Sequence, residues 1–286
     1  MIFSVVVPFF NEETYIERCL CALREQDFDK NEWEIIFVDN GSTDASPRIV
    51  RKFPEVLLLR EERGNEYTAR NKALGIARGE IIAFTDADCE VSKDWLSRIY
   101  DGMMASGAKI ALGSREFPEG KSLPLRMFED YENAKAEYLF TRSLKEYLYG
   151  FCNNMAIEAE LFRELGLFTE YLGDTEFVHR YLSSRPDPRV IFIKAMKITH
   201  LEVTNIMSWL EKYRHYGQYE KRLKKNEGTY KPLDHKLRMK IASFCIKKND
   251  YNLLQTSLFF LVMFLGVFFY NTGKIKGHEA CNKGYG

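Results

Sequence analysis

The sequence predicts a doubly wound, mostly parallel α/β sheet with helices on both faces, followed by amphipathic helices and one strongly apolar helix. Three observations carry this expectation. Short β-branched runs alternate with helix-period segments through the first hundred residues. The links between them are short, which suits βαβ units. Polar clusters follow Val7, Val38 and Phe84, at the strand ends where open α/β sheets bind ligands.

Ile2 to Val7 reads as a buried strand closed by Pro8, and Glu12 to Arg24 as a helix with Ile16, Cys19, Leu20 and Leu23 on one face. Trp33 to Val38 is the second strand. Ser42-Thr43-Asp44 supplies turn and cap chemistry for a helix through Val50. Strands at Val56 to Leu59 and Glu80 to Phe84 enclose a helix from Glu66 to Ala77, which Arg78-Gly79 ends. Lys93 to Met104 is the next helix.

Beyond residue 108 the alternation loosens. Strands are expected at Lys109 to Leu112, Phe151 to Ile157, Val190 to Ile193 and Ala195 to His200. Helices are expected at Leu123 to Tyr149, Glu158 to Gly166 and Asp174 to Ser183, then at Thr204 to Lys225 and Leu233 to Lys248, both basic. Leu253 to Tyr270 is a run of eighteen residues without a charge. As a helix it is roughly 27 Å long, just short of the ~30 Å hydrocarbon core. Lys247 and Lys248 before it, with Lys274 and Lys276 after it, suit lipid head groups. A membrane helix and a buried core helix both remain open readings.

Apolar residues make up 45% of the 286, enough for a sizeable core and against wholesale disorder. The 41 Lys/Arg balance 41 Asp/Glu, but unevenly. Glu211 to Lys248 holds twelve basic and four acidic residues, so the rest of the chain is acidic. An acidic body suits a cation and a basic segment suits an anionic surface; a solvated helical face explains the segment equally well. No nucleic-acid partner is expected. The six cysteines, Cys19, Cys21, Cys89, Cys152, Cys245 and Cys281, lack zinc-site spacing and read as reduced thiols. Met1 to Phe10 lacks a basic start, so no signal peptide is expected.

Three clusters carry candidate chemistry. Asp86-Ala87-Asp88 ends a strand, where two carboxylates can reach one divalent cation beside a departing diphosphate; chance placement explains most such pairs taken alone. Asp39 at the next strand end either accepts from a base or ribose, or only shapes the Asn40-Gly41 turn. Arg70, on the helix before the DxD strand, either grips a phosphate or forms a surface ion pair.

Taken together, Val5-Val6-Val7-Pro8-Phe9-Phe10-Asn11-Glu12, Val38-Asp39-Asn40-Gly41-Ser42-Thr43-Asp44, Ala69-Arg70-Asn71-Lys72-Ala73-Leu74 and Gly79 to Asp88 resemble the family 2 glycosyltransferases of the GT-A fold. The four motifs stand in the family's order and cover residues 1 to about 115 densely. The resemblance implies a catalytic domain over 1–205, with a nucleotide-sugar half (1–115) and an acceptor half (116–205). Basic helices (206–250) and a membrane-associated helix (251–272) follow. It also implies an inverting transfer from a nucleotide-sugar donor, a UDP-sugar first, to an acceptor hydroxyl of a glycan or lipid-linked glycan.

By position, the resemblance places Pro8, Phe10 and Glu12 around the base and ribose, Asp39 at the nucleobase, and Arg70 by the diphosphate. Asp86, Ala87 and Asp88 form the donor and metal motif, with Asp88 holding Mn2+ or Mg2+. Asp174 matches the family's catalytic base, while Gly173 stands where the family has glutamate. At a helix start, Asp174 is expected to have a lowered pKa; the bland alternative is a helix cap, and Glu176 and Glu170 are reserve bases. His200 is a candidate at the metal or diphosphate. Trp209, Tyr213 and Tyr216 either stack on a sugar, dock at a membrane or pack. The expected location is the cytoplasmic face of the cell membrane. Two rivals stand: a sugar-phosphate nucleotidyltransferase, whose glycine-rich N-terminal loop is missing from Pro8 to Glu13, and a non-catalytic nucleotide-sugar-binding membrane module.

Overall fold

The computed structural model describes all residues except 63–64, 171, 224–230, 232 and 283–286; the side chains of 216, 219–223 and 275–282 also lie outside the description. Tyr216, Lys276, Cys281 and the expected helix end at Lys225 therefore fall beyond it. The chain forms two compact units, residues 1–116 with 139–201, and residues 117–138 with 202–286.

The first unit is built on an eight-stranded sheet. Its first four strands are β1 (Phe3–Phe9), β2 (Trp33–Asp39), β3 (Val56–Arg60) and β4 (Ile81–Thr85). The others are β5 (Cys89–Val91), β6 (Ile110–Glu116), β7 (Asn154–Glu158) and β8 (Val190–His200). The order is β3-β2-β1-β4-β7-β6-β8-β5. The first four strands are parallel; β7 runs antiparallel to both β4 and β6, β8 parallel to β6, and β5 antiparallel to β8. Crossover helices are α1 (Ile16–Arg24), α2 (Ser46–Val50), α3 (Glu66–Leu74) and α4 (Trp95–Ser106). Buried side chains of β1, β2, β4, α1 and α4 form the main core, including Phe3, Val5, Phe37, Leu20 and Trp95.

Pro8 does not close β1 as the sequence reading expects; the strand runs through it to Phe9. The reason lies in the register. Pro8 pairs with Val38 on one side, whereas pairing with β4 stops at Val6↔Phe84, so the missing N–H falls beyond that second ladder. Further on, the two expected strands at 190–200 are one strand. Its register against β6 slips between Gly113 and Ser114, so that Gly113 faces Ile193 and Ser114 faces Lys197. A Cβ on Gly113 would lie 2.1 Å from the Met196 carbonyl, so the bulge needs glycine there. Buried Asn154 stitches the region: its Nδ2 donates to the Ser114 and Met196 carbonyls and its Oδ1 accepts from Trp95 Nε1.

The remaining helices of this unit are α6 (Glu160–Leu165) and α7 (Gly173–Ser184). Helix α5 (Leu123–Thr141) ends eight residues short of the expected Tyr149. The second unit holds most of α5 with α8 (Ile206–Leu223), α9 (His235–Lys248) and α10 (Leu253–Asn282). Its two small cores gather Phe117, Phe128, Trp209 and Val262, and Met127, Ala242, Cys245 and Phe259. Trp209 packs on Phe117 and Phe128, and Tyr213 donates to Glu132, so both are core residues of this unit rather than a sugar platform.

Candidate active site

The carboxyl ends of β1, β2 and β4 carry the expected polar clusters. At the end of β1, Pro8 and Phe9 are buried and Phe10 is 54% exposed. Asn11 adopts a left-handed φ of 56°. Its N–H donates to Ser42 Oγ and its Oδ1 accepts from Thr43 N–H, while Glu12 N–H donates to Ser46 Oγ. These bonds tie the loop after β1 to the loop after β2.

Asp39 is the last residue of β2 and is buried. Its Oδ1 accepts from Ser42 N–H at 2.8 Å, so it does shape the turn in which Gly41 adopts φ 88°. Its Oδ2 lies 3.8 Å from the Arg60 guanidinium at the end of β3. Both sequence alternatives for Asp39 thus remain compatible with one geometry: one oxygen holds the turn and the other keeps a second, outward partner.

After β4 comes Asp86-Ala87-Asp88. Asp86 is part-exposed and accepts from Arg70 Nη2 at 2.7 Å; Arg70 is buried. Arg70 is therefore no surface ion pair. It sits on α3, whose start is capped by Asn65 Oδ1 accepting from Tyr67 N–H. Asp88 is buried, with Oδ1 accepting from the Cys89 thiol and Oδ2 lying 3.2 Å from His200 Nδ1. Cys89 and His200 face each other across the β5–β8 pair, and β5 was not foreseen in the sequence. Asp88, Cys89 and His200 place one ligating atom each within 4.8 Å of one another. A carboxylate oxygen and an imidazole nitrogen, both buried and convergent, suit a divalent cation of intermediate hardness. Burial, reinforced by the Asp88 charge, pushes the Cys89 thiol well up, so it stands as a neutral donor beside Asp88.

Asp174 lies in the first turn of α7 and is buried. Its Oδ1 accepts from Tyr67 Oη at 3.0 Å and from Thr175 N–H at 2.7 Å; Oδ2 accepts from Cys152 N–H at 3.1 Å. The expectation of a lowered pKa is corrected here. Burial pushes the Asp174 carboxyl up from its ordinary value, and the Arg70 charge and these three hydrogen bonds offset it only in part. Tyr67, buried beside that carboxylate, has its own pKa raised well up by burial first and by the Asp174 charge second, which keeps its hydroxyl a donor.

Tyr67 is the residue that sequence reading missed. It stands three positions before Arg70 on one helix face, and the Arg70 guanidinium lies 5.3 Å from its ring centre. Asp174, Tyr67, Arg70 and Asp86 thus form one continuous contact chain. Tyr67 also explains Gly173. A Cβ there would lie 2.8 Å from the Tyr67 ring and 2.9 Å from Phe168, so no glutamate side chain fits without displacing the tyrosine. Leu172, just before it, is held in a left-handed conformation at φ 45°, an uncommon state for a branched side chain. Of the reserve bases, Glu176 is paired with Arg180, and Glu170 is exposed with its carbonyl accepting from Asn65. Among the buried polar atoms without a partner in the described residues are Asn40 Oδ1, Arg70 Nε and Thr85 Oγ1. Asn40 follows β2, Thr85 ends β4, and Arg70 pairs with Asp86 just after β4, so all three border the acidic clusters.

Comparison with known proteins agrees with this layout. The family model described as Glycosyl transferase family 2 matches residues 4–166. Glycosyltransferase AglE of Haloferax volcanii is 29% identical over 188 residues, covering 62% of this chain and 60% of AglE. Poly(ribitol-phosphate) beta-N-acetylglucosaminyltransferase TarS of Staphylococcus aureus is 34% identical over 135 residues, 46% of this chain and 24% of TarS. The chain thus spans about three fifths or less of these relatives. Among solved structures, the mannosyltransferase PcManGT from Pyrobaculum calidifontis in complex with GDP-Man and Mn2+ superposes with a TM-score of 0.64 at 19% identity, over 96% of this chain and 86% of that one. S. aureus TarS 1-349 in complex with UDP-GlcNAc gives 0.56 at 18% identity, over 98% of this chain and 92% of that one. These likenesses show a shared GT-A fold. With more than half its length matched by the family model, the chain belongs to glycosyl transferase family 2.

Proposed function

We propose that the protein transfers a sugar, with inversion, from a nucleotide-diphosphate sugar to an acceptor hydroxyl, with Asp174 as the base. The observation that carries the reading is the contact chain from Asp174 through Tyr67 and Arg70 to Asp86. It joins a carboxylate on α7 to the acidic motif after β4, so a proton acceptor and a diphosphate site share one framework.

Each group has work to do. Asp39, Pro8, Phe10 and Glu12 line the nucleoside end, where a buried carboxylate oxygen accepts from a base or ribose donor. Arg70, held by Asp86, is pre-oriented toward the diphosphate, and its unpartnered Nε is a remaining donor. Asp88 and His200 would hold Mn2+ or Mg2+, and the mixed oxygen and nitrogen set matches manganese better. A bound divalent ion neutralises charge on the departing diphosphate. Asp174 takes the acceptor's proton as the hydroxyl attacks the anomeric carbon from the face opposite the leaving group. Its pKa, raised by burial, makes it a stronger base than an exposed aspartate.

The complexes of TarS with UDP-GlcNAc and of PcManGT with GDP-Man and Mn2+ support a nucleotide-sugar donor and a divalent ion. A UDP-sugar donor, a glycan or lipid-linked glycan acceptor, and a place on the cytoplasmic face of the membrane complete the proposal. The test is a panel of UDP- and GDP-sugars with Mn2+ or Mg2+, scored for transfer and slow donor hydrolysis. Donor binding by calorimetry with no turnover under any metal would favour a non-catalytic module and end this reading.

A further inference from the structure

The apolar helix α10 is long and apolar enough over Leu253–Lys274 to cross a membrane, yet little of that stretch is buried within the fold. Its exposed apolar residues are not scattered. Leu253, Leu254, Phe260, Leu261, Phe264, Val267 and Phe268 recur at steps of three, four and seven and form one stripe about 22 Å long. Leu253 and Leu254 are 84% and 80% exposed.

The other side of the helix is occupied by protein. Phe259 packs on Tyr131 and Tyr251, and Val262 joins the Phe117–Trp209 core. A Cβ on Gly273 would lie 1.9 Å from the Arg214 carbonyl, and one on Gly217 would lie 2.0 Å from the Tyr270 carbonyl, so α8 and α10 touch backbone to backbone. The elements bound to α10 are charged. Arg214 pairs with Glu211, Lys212 with Glu202, and Glu132 with Lys135. A helix crossing the bilayer in this fold would draw these charges into hydrocarbon. One lying at the surface would bury its stripe and leave them wet.

Charge identifies what covers the stripe. On α9, Lys236, Met239, Lys240, Ser243 and Lys247 are all exposed and fall on one face at spacings of three, four and seven. They belong to a segment with eight more basic than acidic residues. A cationic row on one helix and an apolar stripe on another of the same compact unit fit anionic lipid, which attracts lysine at short range. We infer that α10 docks flat on an anionic bilayer, with the Leu253–Phe268 stripe in the acyl boundary and the α9 lysines at the head groups. This deepens the membrane part of the proposed function, and it sets the helix in the membrane plane.

The test uses the full chain with vesicles of phosphatidylcholine alone and of phosphatidylcholine with phosphatidylglycerol. The wild type is expected to co-sediment with the anionic vesicles. Leu261→Glu with Phe264→Glu, both exposed and remote from any core, should lower partition at least tenfold. Lys236→Glu with Lys240→Glu and Lys247→Glu should abolish the preference for anionic lipid. Single cysteines at Asn252 and Lys274, which flank the stripe at its two ends and lie off its face, in a chain lacking Cys21 and Cys281, are then probed with a membrane-impermeant maleimide. Both should label from the same side. Labelling from opposite sides would establish a span and overturn the inference. So would unchanged partition in the glutamate variant. Donor hydrolysis is scored separately: a chain that binds vesicles as expected and turns over no nucleotide sugar sinks the transferase reading alone.

Discussion

A single tyrosine hydroxyl decides how the proposed base is held. Tyr67 donates to Asp174 from a buried position, and hydrogen bonds to charged groups contribute about 1.5–3 kcal/mol. Tyr67→Phe keeps the ring packing on Phe168 and under Arg70 but removes that donor. The expected outcome is roughly a tenfold loss in kcat/KM, since about 1.4 kcal/mol corresponds to a factor of ten. The sign of the pH effect follows from the bond. It favours the carboxylate, so losing it raises the Asp174 pKa further, and the acid limb of the kcat/KM profile moves to higher pH. A profile that drops uniformly without moving would mean Tyr67 serves packing only. Asp174→Ala is a harsher case: transfer should fall by about 10²–10⁴ while donor binding survives, as for removal of a general base. Equal losses in both would relocate Asp174 to the donor pocket.

At the scale of elements, glycines set how closely the site-bearing segments approach. Gly173 opens α7 with no room for a side chain beside Tyr67. Gly173→Glu restores the residue type that the family resemblance leads one to expect, yet here it should remove activity rather than improve it, because the new side chain displaces Tyr67 from Asp174. Overpacking of this kind costs about 1–3 kcal/mol. Circular dichroism melting paired with turnover checks this; a variant as active and stable as wild type would refute the packing argument. Gly150 is the companion case, since a Cβ there would lie 2.5 Å from the Asp174 backbone. Gly150→Ala should therefore shift the start of α7 and lower kcat more than it lowers donor affinity.

For the whole molecule, the expectation is ligand linkage. A nucleoside diphosphate with Mn2+ at about a hundredfold over its dissociation constant stabilises the folded state by about 2.7 kcal/mol. In a chain of this size that is several degrees in Tm, at roughly 2–4 °C per kcal/mol. Chelation of the metal, or Asp88→Ala, should cut the shift most of the way. A full shift with EDTA present would remove Asp88 and His200 from the metal site.

Period and punctuation in the chain announced most of the first unit, because buried parallel strands are short apolar runs and the links between them are brief. The four crossover helices and the polar ends of β1, β2 and β4 were legible for that reason. Asp39, Arg70, Asp86, Asp88 and Asp174 could be singled out as candidates because they sit in local motifs that the family resemblance covers. Four features were decided only by tertiary structure. β5 is three residues long and exists because Cys89 to Val91 finds β8 across the chain. β8 is continuous because the Gly113 bulge absorbs its slip in register. The pKa of Asp174 rises because burial, a property of the whole fold, outweighs the local start of a helix. Tyr67 meets Asp174 across 107 positions of sequence, and no periodicity encodes a contact at that distance. Local pattern determines which residues form strands, helices and loops, since neighbours alone set backbone propensity and amphipathic period. Packing decides which distant side chains meet, and with them the protonation and reach of the groups proposed to carry the chemistry.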